Sequence, residues 1–145
     1  KNRKRVRALH AKIANCRKDH LHKASTMLIK KNALIVVGDL SAKKLVKTKM
    51  AKSVLDTGFS AFKTMLKYKC ENAGVWFEEV SESFTTQMCS CCGEVTASSP
   101  KGRTDLRIRV WECENCSSVL DRDLNSAKNI LALGHKRLAG GISSI

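Results

Sequence analysis

The stretch WECENCSSVLDRDLNSAKNI, residues 111–130, decides how the chain reads. Cys113-x2-Cys116 stands just ahead of Asp121-Arg122-Asp123 and the first turn of a polar helix. A matching pair, Cys89-x2-Cys92, lies twenty residues upstream. Each C-x2-C turn offers two thiolates from one knuckle, and two knuckles make the tetrahedral soft-ligand set that zinc takes. This favours a four-cysteine zinc ribbon over two disulfides. Four cysteines leave no open coordination position, so the zinc is expected to be structural. Gly93 and Ser117 directly follow the two pairs and suit the turn of a knuckle. Cys91 reads as a spare thiol, and Cys16 and Cys70, on helical apolar stripes, as core residues.

The 145 residues suffice for one domain with a modest core and a small insertion. Lys and Arg number 27 against 13 Asp and Glu, a formal charge of +14. The surplus is clustered: residues 1–31 hold eleven Lys/Arg and one acid, Asp19. That points to a polyanionic partner, because each phosphate neutralised releases condensed counterions. Arg3, Lys4, Arg5, Arg7, Lys12, Arg17, Lys18 and Lys23 are the candidate phosphate contacts of this segment. Lys43, Lys44, Lys47 and Lys49, in a basic and weakly periodic stretch, are candidates of the same kind. No apolar run approaches the roughly 20 residues that cross a bilayer, and no signal peptide opens the chain. Seven cysteines in such a chain suggest reduced thiols and a cytoplasmic protein. The first residue is Lys rather than Met, which suggests a fragment of something longer.

Three- and four-residue spacing of Val6, Leu9, Ile13, Cys16, His20, Ala24, Met27 and Leu28 predicts one amphipathic helix over residues 3–30. NALIVVGDLS then reads as a buried strand and its exit. A second helix is expected from about Asp56 to Asn72, with Phe59, Phe62, Leu66 and Cys70 as its stripe and Asn72-Ala73-Gly74 as its stop. VWFEEV, residues 75–80, reads as a second strand. Residues 89–116 look too polar for a core of their own, although LRIRVWEC alternates like a hairpin arm. A last helix is expected from near Arg122 to about Leu133. This order argues an α/β domain with an inserted knuckle: residues 1–88 and 117–133 form the main part, 89–116 the ribbon and 134–145 a flexible tail. His20 reads as helix packing and His22 as surface. Trp76 and Trp111 read as strand packing, Trp111 alternatively as a base-stacking residue.

Asp121 suits an N-cap, and Asp123, inside the first turn, is placed to reach a metal. Taken in order, HAKIANCRKDHLHKAS, MAKSVLDTGFSAFKTMLKYKCENAG, FTTQMCSCCG…WECENC and DRDLNSAKNIL make the whole chain resemble the C-terminal half of TnpB, the transposon-encoded family related to type V CRISPR effectors. The resemblance implies an RNase H-like, RuvC-type core, incomplete in this chain, with the zinc ribbon inserted. It implies an RNA-guided DNA endonuclease using Mg²⁺ held by three carboxylates, with guide RNA and target DNA as partners. Asp123 would be the third-motif carboxylate. The first would lie upstream of Lys1, in the N-terminal remainder of the same protein, so this chain alone would be inactive.

The second carboxylate departs from the pattern. By this resemblance most relatives carry Glu where this chain reads VVGDLS, and Gly38 cannot bind a metal. Glu82, just past the second strand, is the favoured substitute, as both catalytic residue and magnesium ligand, expected within about 4–8 Å of Asp123. Asp39 and Glu79 remain open as substitutes, Asp39 being disfavoured because one residue along a strand reverses the face. Glu78 reads as a solvent-facing acid. A nuclease-inactive guided DNA-binding protein, acting as a repressor, is a further possibility, as is a plain zinc-ribbon nucleic-acid module. Lys101, Arg103, Arg107 and Arg109 would let the ribbon touch nucleic acid. Closing the zinc site would bring Glu82 and Asp123 together.

Overall fold

Thirty residues without a glycine or proline build the first helix, α1 (Asn2–Lys31), and Lys30 and Lys31 complement its C-terminal dipole. The computed structural model describes residues 2–39, 58–101 and 104–142. After α1 come β1 (Leu34–Gly38), α2 (Phe59–Ala73), β2 (Trp76–Val80), a 3₁₀ turn (Thr104–Arg107), β3 (Val110–Glu112), β4 (Val119–Asp121) and α3 (Arg122–Ile142). The candidate basic loop with Lys43, Lys44, Lys47 and Lys49 lies outside the described residues, as does Arg103. No helix among the described residues is long and apolar enough to cross a membrane.

The chain divides into two compact units, residues 1–35 with 41–77 and residues 36–40 with 78–145. Strands β1 and β2 pair, each passing from the first unit into the second. The Trp76 N–H donates to Ala33 O at 3.0 Å, and farther along the Asp39 N–H donates to Val80 O at 2.7 Å. Both members of the pairing ascend together, so the strands are parallel, joined by a crossover that contains α2.

In the first unit α2 lies on the C-terminal third of α1. Met65, Leu66 and Cys70 of α2 and Ser25 and Ile29 of α1 are buried. Gly58 and Gly74 bracket α2 in the left-handed region, and the Gly74 N–H caps the Cys70 and Glu71 carbonyls, as the Asn-Ala-Gly stop predicts. The α1 stripe read from the spacing is not the packed one. Val6, Leu9, Ile13, Cys16 and His20 are exposed, while Leu21, His22, Ala24, Ser25, Leu28 and Ile29 form the covered stretch. Cys16 is therefore not a core residue, and the expected roles of His20 and His22 are reversed. The physical reason is length: α2 has half the residues of α1 and reaches only its last turns. Trp76 is also a correction, being 54% exposed at the start of β2.

What pins the two helices is polar. The Lys69 ammonium donates to His22 O, Ser25 Oγ and Thr26 Oγ1, each at 2.8 Å. Three donors meet three acceptors on one turn of α1, which satisfies Lys69 completely.

In the second unit the ribbon does have a core of its own. Cys89, Cys113, Trp111 and Leu120 are buried together, with Cys92 and Cys116 packed against them. Strands β3 and β4 are antiparallel, in the register Val110↔Asp121, Trp111↔Leu120 and Glu112↔Val119. Trp111 and Leu120 thus share the inner face, where Trp111 has no exposed ring to offer a base. Helix α3 runs to Ile142, past the end expected near Leu133. Gly134 sits where a Cβ would overlap the Val36 side chain, so its lack of a side chain lets α3 lie close on β1. Arg137, one turn further, donates to Glu78 Oε1 and Glu79 O, each at 2.8 Å. Glu78 is accordingly a docked, partly covered acid rather than a solvent-facing one.

Candidate metal centre and carboxylate site

The two cysteine knuckles repeat one another bond for bond. Gly93 N–H donates to Cys89 O at 2.9 Å and Ser117 N–H to Cys113 O at 2.8 Å. Cys89 N–H donates to Glu94 O at 2.9 Å and Cys113 N–H to Ser118 O at 3.0 Å. Gly93 and Ser117 both have positive φ, 80° and 55°, the turn geometry their positions suggest. The result gathers Cys89, Cys92, Cys113 and Cys116 so that their Sγ atoms lie within 4.8 Å of one another. Cys89 and Cys116 sulfurs are 3.7 Å apart, as are those of Cys92 and Cys113. That is far longer than a disulfide, about 2.05 Å. It matches the edge of a tetrahedron of sulfurs around zinc, about 3.8 Å for a Zn–S distance of about 2.3 Å. The set could hold a metal ion such as zinc, and Cys91, exposed beside it, is outside the set.

The thiols sit in unequal surroundings. Burial pushes Cys89 up to about 11. The Ser118 hydroxyl and N–H pull Cys116 down to about 6, and the Glu94 N–H with Asn115 lowers Cys92. The Cys91 N–H also points at Cys89 Sγ, 3.4 Å away. These donors stabilise the thiolates that a metal needs.

On the carboxylate side, Asp121 is the N-cap of α3: its Oδ1 accepts from the N–H groups of Asp123 and Leu124 at 3.0 and 2.9 Å. Asp123 is left free of that duty, and its Oδ2 accepts from the Arg109 guanidinium at 3.1 Å. The Arg122 N–H donates to Arg109 O at 2.7 Å, which is how the hairpin delivers Arg109 to the helix start. Arg109, a candidate nucleic-acid contact by its charge, is thus also a partner of Asp123. The Val110↔Asp121 register, continued one residue outward, is the signal that would have put it near Asp123.

Glu82 is half-buried on the turn after β2. A Cβ placed on Gly38 would overlap Oε1, Cγ and Cδ of Glu82. The glutamate side chain therefore fills the space that any side chain at position 38 would need. Asp39 is exposed beyond the end of β1, and Glu79 is half-buried with its carbonyl bound by Arg137. Among the described residues the four cysteines are the sole cluster of three or more metal-ligating side chains. The turn bearing Glu82 is tied to α3 by Asn125 and Asn129, which nothing in the local spacing singles out.

On α1, Arg3, Lys4, Arg5, Arg7, Lys12, Arg17, Lys18 and Lys23 are all exposed. Lys23 is paired with Asp19 at 2.7 Å. In the ribbon Lys101 and Arg107 are exposed as well.

A family model described as Cas12f1-like, TNB domain, matches residues 59–130, which include the whole ribbon. A protein of Streptomyces pristinaespiralis named as an RNA-guided DNA endonuclease is 38% identical over 136 residues, 92% of this chain and 32% of that protein. InsQ of Escherichia coli K12, named likewise, is 31% identical over 157 residues, 97% of this chain and 38% of its own. The fold is similar to that of a chain in a cryo-EM structure titled as the Cas12f1–sgRNA–target DNA complex. There the TM-score is 0.67 at 18% identity, covering 88% of this chain and 36% of that one. The molecule is an α/β protein carrying a four-cysteine cluster of metal-site geometry. It belongs to the TnpB family, related to the type V CRISPR nucleases. It spans about a third of the length of these relatives.

Proposed function

We propose that this chain is the C-terminal part of an RNA-guided, Mg²⁺-dependent DNA endonuclease with an RNase H-like, RuvC-type core. Glu82 and Asp123 are two of its metal-binding carboxylates, and the third comes from the N-terminal remainder of the protein. The names of the relatives support the general activity. The observation that carries the assignment of Glu82 is its overlap with the side-chain space of Gly38. A glutamate at 38 and the glutamate at 82 would compete for one volume. The loss of the first and the presence of the second then form a single exchange.

In that reading Glu82, half-buried, and Asp123, at the positive end of α3, present oxygens to the ions. Divalent ions held by these carboxylates would supply charge neutralisation at the phosphate and a lowered pKa for the attacking water. Water oxygen bonds to phosphorus, the bond from phosphorus to the leaving oxygen breaks, and that oxygen takes up a proton. Arg109 holds Asp123 oriented from the ribbon side. Cys89, Cys92, Cys113 and Cys116 hold a structural zinc, with no open position for chemistry. The exposed basic residues of α1 contact the phosphates of guide RNA and target DNA without reading bases. Reduced cysteines suit a cytoplasmic setting.

Programmed DNA cleavage by the full-length protein with its guide RNA in Mg²⁺ tests this, comparing wild type with Glu82→Ala and Asp123→Ala. Both substitutions are expected to abolish cleavage while guided binding survives. A wild type that binds its target without cutting would make the protein a guided DNA-binding repressor, the reading that Gly38 taken alone favours. Failure to retain any RNA would leave a plain zinc-ribbon module.

A further inference from the structure

Asn125 and Asn129 lie one turn apart on α3 and are 1% and 6% exposed. Asn125 Nδ2 donates to Met88 O at 2.8 Å and to Thr85 O at 3.4 Å. Asn129 Nδ2 donates to the same two carbonyls, at 2.7 and 2.8 Å. Two amide groups bring four N–H donors, and two carbonyls bring four lone pairs, so the set is closed. Asn125 Oδ1 then accepts from the Ser90 N–H at 2.8 Å, between the ligands Cys89 and Cys92. From Thr85 the network runs on toward the carboxylate. Its N–H and its hydroxyl both donate to Glu82 O, at 3.2 and 2.9 Å, and Ser126 bonds the same hydroxyl at 3.0 Å. Three residues of one helix, Asn125, Ser126 and Asn129, thus hold both the turn at Glu82 and the first cysteine knuckle. The same helix carries Asp123 two residues before Asn125.

We propose that Asn125 and Asn129 are positioning residues that couple the cysteine knuckle to the carboxylate pair, so that zinc held in the ribbon sets how tightly Glu82 and Asp123 hold Mg²⁺. This deepens the proposed function and rests on its assignment of those two carboxylates. A buried polar network of this kind is costly when half-satisfied, so the knuckle and the Glu82 turn move together or not at all. The three-residue spacing between Thr85 and Met88 presents both carbonyls to one helix face, which only side chains with two N–H donors and short reach can serve. Aspartate at 125 or 129 has the same shape and no donor, and its charge would face two carbonyl oxygens.

The test uses the full-length protein with its guide RNA and reads two quantities. One is the rate of zinc release to an excess of a chromophoric chelator, followed by absorbance without any cleavage. The other is the Mg²⁺ concentration giving half-maximal target cleavage. Asn125→Asp and Asn129→Asp are expected to speed zinc release about 10-fold or more and to raise the Mg²⁺ midpoint by a similar factor, with cleavage returning at high Mg²⁺. Glu82→Gln and Asp123→Asn are expected to stop cleavage and leave zinc release unchanged. Asparagine variants with wild-type zinc release and wild-type midpoint overturn the proposal. Faster zinc release with an unmoved midpoint overturns the coupling, leaving the pair to serve the ribbon alone. Cleavage that persists in Glu82→Gln would instead sink the carboxylate assignment, and the zinc arm would still judge the hold on the knuckle. Should the aspartate variants fail to assemble, Ser126→Ala removes only the outer bond to Thr85. It must then raise the midpoint in the same direction, and no rise overturns the coupling.

Discussion

Gly38 and Glu82 share one volume: the backbone of β1 leaves a space that the Glu82 side chain fills. Gly38→Ala would put a methyl where Cγ, Cδ and Oε1 of Glu82 now lie. The strand tolerates alanine, since Gly38 is not in the left-handed region that favours glycine. We therefore expect Gly38→Ala to cost about 1–3 kcal/mol in stability while abolishing cleavage, because Glu82 must swing away. The double variant Gly38→Glu/Glu82→Ala is expected to recover part of the activity, as the glutamate returns to the strand. Activity in Gly38→Ala equal to wild type would detach Glu82 from the chemistry. Parallel thermal melts and cleavage assays separate the two effects.

The Arg109–Asp123 pair is 3.1 Å long, with side chains 70% and 76% exposed. A surface pair of this kind is worth less than about 1 kcal/mol. Arg109→Ala should thus leave the melting temperature nearly unchanged. Any large loss of cleavage in that variant then reports lost orientation of Asp123 rather than unfolding. A Mg²⁺ titration of Arg109→Ala, with Arg109→Lys beside it, checks this, and a large drop in thermal stability would contradict it.

Local spacing made the ribbon legible because both knuckles are short-range objects: C-x2-C followed by Gly93 or Ser117 dictates its own hydrogen bonds. The N-cap at Asp121 and the stop at Gly74 were legible for the same reason. The packed face of α1 was not. Val6, Leu9, Ile13 and Cys16 keep helical spacing as well as Leu21, Ser25, Leu28 and Ile29 do, and periodicity cannot say how far a partner helix extends. Nor does it foresee Lys69, a cation that buries its head against α1, or Asn125 and Asn129, whose carbonyl partners lie about forty residues away. The end of α3 expected near Leu133 fails for a related reason. A glycine like Gly134 ends a helix in isolation, but here it allows contact with Val36 and the helix continues.

Lys69 gives the first unit a polar pin that can be removed without touching its apolar core. Lys69→Met keeps the aliphatic stem and deletes three bonds to α1. The expected loss is about 1.5–3 kcal/mol, the range for a hydrogen bond involving a charged group. Arginine should not restore it, because its planar fork cannot aim three donors at three acceptors around one point. Denaturant melts of the full-length protein with Lys69→Met and Lys69→Arg decide the matter. Equal stability of the arginine variant and wild type would refute the single-point geometry.

Trp111 makes zinc removal visible. Its ring is packed with Cys89, Cys113 and Leu120, and its Nε1 is buried without a partner. Without a metal nothing bridges the four sulfurs, and the ribbon core of four buried residues is too small to persist alone. Chelation is expected to shift Trp111 fluorescence to longer wavelength, and zinc to reverse the shift. Trp76→Phe removes the other tryptophan of these 145 residues, and Trp111→Phe in the same background identifies the part of the signal that Trp111 supplies. Cys113→Ala should show the shifted spectrum from the outset. A spectrum indifferent to chelator would mean the ribbon needs no metal to hold its core.

Ser117 offers the reverse kind of test, a substitution that should strengthen the ribbon. Its φ of 55° places a residue with a Cβ in the left-handed region, whereas Gly93 occupies the equivalent turn of the other knuckle at 80°. That conformation costs roughly 1–2 kcal/mol for a residue other than glycine. Glycine removes the strain but also gains freedom in the unfolded chain, which offsets up to about 1 kcal/mol. The knuckle bond from the residue 117 N–H to Cys113 O does not involve the side chain and survives the change. Ser117→Gly is therefore expected to raise stability by up to about 1 kcal/mol and to slow zinc release. Gly93→Ser, imposing the same strain on the first knuckle, should do the opposite by a similar amount. Measured together by chelator competition, the two variants should displace the zinc-release rate in opposite directions. A shift in the same direction would show that the two knuckles, despite their matching bonds, carry the metal unequally.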